Sequence, residues 1–114
     1  DPVKMAEQGI RDLNKDLRES LESMAKVKAQ SIRANKNVSR EKQIAADYEK
    51  KAMMLLSKAQ QGSLDPAEAD RLAAESLSKR DASIERASVL TKEAAHMEQM
   101  TAQLEKNTQN LNLN

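Results

Sequence analysis

Between Asp1 and Gly62, apolar side chains return every seven residues in alternating steps of three and four. One line of the repeat reads Val3, Ile10, Leu17, Met24, Ser31, Val38, Ala45, Ala52 and Ala59. The other reads Ala6, Leu13, Ser20, Val27, Ala34, Glu41, Tyr48 and Leu55. A repeat of about 3.5 residues falls just short of the helical 3.6, so both lines stay on one face only if the helix supercoils left-handedly around a partner. A second stretch after Pro66 carries a similar seam: Ala73, Leu77, Arg80, Ile84, Ala87, Leu90, Ala94, Met97, Thr101, Leu104, Thr108 and Leu111. In this seam a three-residue step replaces a four between Ala87 and Leu90, which predicts local overwinding there.

The breaks in the pattern set the elements. Asp1-Pro2 offers a capping carboxylate followed by a proline at the first helical position, where its missing N–H costs nothing. In Gly62-Ser-Leu-Asp-Pro-Ala-Glu68, Gly62 can end a helix in the left-handed conformation. Asp65 then caps the next helix, Pro66 starts it and Glu68 completes a capping box. The reading is one hairpin over residues 1–114, with a first helix over about 2–61, a turn over 62–65 and a second helix over about 66–110. A connection this short requires the helices to fold back on each other, so the fold class is all-α, a long antiparallel coiled-coil hairpin. The closing Asn107-Thr-Gln-Asn-Leu-Asn-Leu-Asn114 is a poor helix former and is expected to fray. Folding about the turn brings the chain end back only to about residue 12. Val3, Ala6 and Ile10 are then left without an intrachain partner, and another chain or a further segment is expected to cover them.

Charge supports the fold-back. Residues 1–60 carry 13 basic and nine acidic side chains, while residues 61–114 carry six and nine. Opposite signs favour pairing of the two arms, although each exposed pair contributes only about 0.2–1 kcal/mol. Glu7/Arg11, Glu22/Lys26, Asp47/Lys51 and Glu75/Lys79 stand at the four-residue spacing that supports a helix. Many seam positions hold Ala or Ser, which let two backbones approach closely but bury little apolar area, so the isolated hairpin should be only moderately stable.

Composition agrees. Aromatic residues are 1% of the chain and charged residues 32%, with two Gly and two Pro, which suits long helices and argues against a thick globular core. With 19 basic against 18 acidic side chains, the chain lacks the net charge that usually accompanies disorder.

Catalytic chemistry finds no support. Cysteine is absent, which removes disulfides, thiolate nucleophiles and Cys-based zinc sites. Gly9 and Gly62 stand alone, so there is no phosphate-binding loop. His96 is the single histidine and should lie off the seam in solvent. The carboxylates are spread evenly and mostly have basic neighbours. The reading is a protein that is not an enzyme, with no cofactor and no metal.

Two surface features stand out. Lys26, Lys28, Arg33, Lys36, Arg40 and Lys42 form a basic tract that suits either anionic lipid or the acidic faces of neighbouring hairpins. Without aromatic stacking groups, and with the acidic arm alongside, direct nucleic-acid binding is not expected. Met53-Met54-Leu55-Leu56 places apolar side chains almost all round the helix just before the turn, with only Leu55 on the seam. Either they pack locally against Leu64 and Leu72, or they form a docking patch for another protomer or protein.

Several segments, taken in order, resemble a known family. They are Asp1-Pro2, Gln8, Ile10-Arg11-Asp12-Leu13, Ala25-Lys26-Val27-Lys28-Ala29, Ala46-Asp47-Tyr48-Glu49-Lys50-Lys51-Ala52, and the turn Gly62-Ser63-Leu64 leading to Ala73-Ala74 and Leu77. Their order and spacing are similar to the phage-shock protein A family, which includes the vesicle-inducing protein in plastids and is related to ESCRT-III. The resemblance covers about residues 1–80. It departs at the polar turn and from Asn107 onward, where the family continues as a charged helix.

The resemblance implies a bacterial membrane-stress scaffold, cytoplasmic and peripheral at the inner membrane, that self-assembles and supports or remodels bilayers. The implied partners are copies of itself, an anionic membrane surface and, in an alternative regulatory role, an AAA+ transcription activator; a generic coiled-coil adaptor is a further alternative. The family's N-terminal amphipathic helix would precede Asp1 and its later helices would follow Asn114. Val3, Ile10, Leu13, Leu17, Met53, Met54 and Leu56 are the residues expected to mediate self-association or partner binding.

Overall fold

The computed structural model describes residues 1–113 and contains two helices: α1, Pro2–Gln60, and α2, Pro66–Leu113. The fold class is the expected one. Both helices start on a capped proline. The Val3 N–H donates to Asp1 Oδ1 at 3.0 Å, and the Glu68 N–H donates to Asp65 Oδ2 at 3.2 Å. The capping box closes only halfway, because the Glu68 carboxylate turns to Arg71 Nε at 3.1 Å instead of to the Asp65 N–H. A guanidinium offers the carboxylate two charge-assisted bonds, and these outweigh one backbone amide.

The end of α1 follows from Gly62, whose φ of 78° is open to glycine at little cost. Its N–H donates to the Ala59 carbonyl at 3.1 Å and the Ser63 N–H donates to the Lys58 carbonyl at 2.9 Å. These two bonds satisfy carbonyls that the helix end would otherwise leave free. At the other end, α2 continues as helix through Leu113, past the expected stop near residue 110 and into the stretch expected to fray, of which Asn114 lies outside the described residues. In that stretch Thr108 is buried and its hydroxyl is paired with Ser20. Tertiary contact here overrides weak propensity.

The described residues fall into two compact units. One joins residues 34–60 of α1, the turn and α2 up to Lys92; the other joins α1 up to Arg33 with α2 from Glu93. Within each, α1 and α2 run antiparallel.

In the turn-proximal unit, α1 turns Ala34, Val38, Glu41, Ala45, Tyr48, Ala52, Leu55 and Ala59 inward, all buried or half-buried. On α2 the inward line is Ala69, Ala73, Ser76, Arg80, Ser83, Ala87 and Leu90. This corrects the sequence reading at two positions: buried Ser76 takes the seam place given to Leu77, which is half-buried, and Ser83 takes that given to Ile84. Ile84 is 52% exposed, and Ser83 is fully buried in its place. With Ser76 and Ser83 on the seam, the steps alternate four and three without interruption, and no overwound step is needed between Ala87 and Leu90. The physical reason is size: a seam of Ala and Ser brings the backbones close, and a branched Ile would hold them apart.

In the other unit, α1 turns Leu13, Leu17, Ser20, Met24, Val27 and Ser31 inward against Ala94, Met97, Thr101, Leu104, Thr108 and Leu111. Thr108 Oγ1 donates to the Leu104 carbonyl at 2.8 Å, which leaves Ser20 as the donor in the 2.6 Å hydroxyl pair between Ser20 and Thr108. Val3, Ala6 and Ile10 continue the same repeat but are exposed.

Candidate interaction surfaces

Polar groups tie each unit together at specific points. In the turn-proximal unit, Arg86 reaches from the flank and donates to Ser83 Oγ at 2.9 Å and to Glu41 Oε2 at 3.2 Å. Glu41 is the acidic exception in the α1 seam, and Arg86 is what makes it tolerable there: its side chain is only 19% exposed yet ion-paired. Arg80, also on the seam, extends its guanidinium outward to Asp81 at 3.0 Å and Glu49 at 3.2 Å. The hydrogen bonding that Arg80 donates to the Asp81 carboxylate is the first cause that holds its guanidinium above its ordinary range. Lys79 Nζ lies 5.9 Å from the Tyr48 ring centroid and 3.5 Å from Glu75. Of the four expected helix-supporting pairs, only Glu75/Lys79 forms among the described residues. Asp47 instead accepts from Gln43 at 3.0 Å.

The apolar candidates separate into two kinds. Leu13 and Leu17 are half-buried on the seam, so they belong to pairing within the chain. Val3 and Ile10 are 64% and 61% exposed, and Met53, Met54 and Leu56 are 67%, 59% and 41% exposed. The seam at the level of the Met pair is held by Ala52, 1% exposed, and by half-buried Leu55. Leu55 and Leu72 share a groove of about 240 Å³ with Lys51, Glu75, Ser76 and Lys79. Met53, Met54 and Leu56 are therefore spare: the local packing under the turn does not use them. Sequence reasoning missed Ile84 as a surface residue, since its apolarity put it on the seam. The unbroken four-three spacing through Ser83 was the signal that could have found it.

The basic tract does not form one face. All six side chains are exposed. Lys26, Arg33 and Arg40 recur at seven-residue intervals along one line of α1, while Lys28 and Lys42 lie on a different line. Lys28 is paired with Glu105 at 3.2 Å. Among the described residues, Lys26, Arg33, Lys36, Arg40 and Lys42 make no ion pair, so their charge is available to an external anion.

No cluster of three or more His, Cys, Asp or Glu side chains that could hold a metal occurs among the described residues, and His96 is exposed. Neither described helix is long and apolar enough to cross a membrane.

No curated protein and no solved structure matches the chain. A family model does: that of the PspA/IM30 family, over residues 1–114. It is a structural, non-enzymatic family of membrane-stress proteins that associate peripherally with membranes and generally self-assemble. The seven-residue seam, the glycine-ended turn and a match along the whole sequence agree, and the chain belongs to the PspA/IM30 family, whose membrane-associated role it shares.

Proposed function

We propose that this chain is the hairpin of a non-enzymatic scaffold that assembles with copies of itself and supports or remodels the bacterial inner membrane from its cytoplasmic side. The match to the PspA/IM30 family along the sequence carries the reading. Two features of the surface support it. Met53, Met54 and Leu56 expose apolar area that the hairpin does not use for its own packing, and flexible thioethers adapt to varied partner surfaces. The unpaired bases on α1 offer charge to acidic neighbours or to anionic headgroups, at about 1 kcal/mol for each base near a charged bilayer.

Sedimentation of the full-length protein with and without vesicles containing anionic lipid tests the proposal. Self-assembly that survives in the wild type and falls in a Met53→Asp/Leu56→Asp variant of unchanged helicity is the expected result. Equal assembly by the variant would remove these residues from the interface. Retention of an AAA+ activator by a protein that neither assembles nor sediments with vesicles would favour the regulatory reading.

A further inference from the structure

We infer that Met53 and Met54 form a sulfoxidation site through which a hydroperoxide turns off docking of a second copy of this chain at the turn-proximal unit while leaving the hairpin folded; the docking half of this inference rests on the function proposed above. The chain has six Met and no Cys, so thioethers are its only readily oxidised sulfur. Those thioethers divide by position. Met24 and Met97 are half-buried on the seam. Met53 and Met54 are adjacent and 67% and 59% exposed, off the seam, beside Leu56 at 41%. Met5 and Met100 are also exposed, at 74% and 42%, but each stands alone and in the other unit.

The chemistry is an oxygen transfer. A thioether sulfur attacks the outer oxygen of the hydroperoxide, the O–O bond breaks and the new S–O bond forms. Sulfur is oxidised by two electrons, the proton on the transferred oxygen passes to the departing one, and with hydrogen peroxide that oxygen leaves as water. The product is polar, so a patch that was apolar must lose hydration when a partner covers it. Nothing in the intrachain seam pays this penalty at Met53 or Met54, because Ala52 and Leu55 fill it. At Met24 or Met97 the same oxidation would fall on the pairing itself. Exposure therefore makes the surface pair react ahead of the seam methionines, and its place beside Leu56 makes its oxidation fall on the docking patch and not on the pairing of the arms. Methionine sulfoxide reductases reverse the step, which makes the site a switch.

The test treats the chain with a limiting amount of hydrogen peroxide and maps oxidation by peptide mass spectrometry. In parallel, it follows helicity, melting and self-association. Met53 and Met54 should oxidise roughly threefold or more faster than Met24 and Met97, with helicity and melting unchanged. Self-association should weaken roughly tenfold or more and recover after reductase treatment. A Met5→Leu/Met100→Leu chain should keep this sensitivity, and a Met53→Leu/Met54→Leu chain should lose it.

Equal oxidation of the seam methionines, or melting in step with surface oxidation, would overturn the site. An oxidised chain that associates as strongly as the untreated one would remove the switch but leave docking intact. An untreated chain that does not associate would remove the docking reading, and the switch with it.

Discussion

The position of one serine carries more of the packing than the larger side chain beside it. Ser83 is fully buried and receives a hydrogen bond from Arg86, whereas the neighbouring Ile84 is 52% exposed. Ser83→Leu should overpack the seam and cost about 1–3 kcal/mol in urea unfolding. Ile84→Ala should change stability by less than about 1 kcal/mol, because it removes a side chain that is half in water already. A reversed order would return the seam to Ile84. Glu68 provides a second test at this scale. The hydrogen bond from Arg71 holds its carboxylate below the ordinary glutamate range. The folded state thus favours the ionised form, and the contribution is present at neutral pH, above the ordinary value. It is lost as pH falls through the lowered folded value. The stability advantage of the wild type over Glu68→Gln should therefore shrink on acidification below about pH 4.5 in melting curves recorded at stepped pH.

For the elements, the capped prolines and Gly62 were legible because their chemistry is local: the bonds join residues at most five apart. Gly62→Ala should cost about 1 kcal/mol from placing a Cβ at a φ of 78°, although open space surrounds the position. Asp65→Ala should cost about 1 kcal/mol by freeing the Glu68 N–H. Thermal melting of both variants measures the turn separately from the seam. Beyond Asn107 the chain is helical to Leu113 despite weak propensity, because propensity weighs only the residue's own backbone, while Thr108 is held by a hydroxyl 88 positions away in sequence. The same limit explains the missed side-chain pairs. Spacing of four makes Asp47 and Lys51 neighbours, yet Gln43 lies one turn the other way and took the contact.

For the molecule, pairing of the arms is the feature on which the surface argument depends. Leu13→Asp/Leu17→Asp places two carboxylates in half-buried seam positions and should lower the melting temperature or prevent folding. Unchanged melting by circular dichroism would count against the pairing. Paramagnetic labels at positions 28 and 105, where Lys28 meets Glu105 at 3.2 Å, should show strong short-range coupling within one monomer.

The chain's own residues determined that there are two helices, where the turn lies, and which face of α1 is inward from Leu13 to Ala59. A seven-residue period, a glycine and two capped prolines suffice, because periodicity and local hydrogen bonding are written along a single strand of sequence. Only the tertiary structure decided that Glu41 is held by Arg86, that Ser20 meets Thr108, and that Met53, Met54 and Leu56 are left to solvent. Each of these depends on how closely two backbones approach and on which side chains meet across the gap, distances that no order of residues along one chain contains.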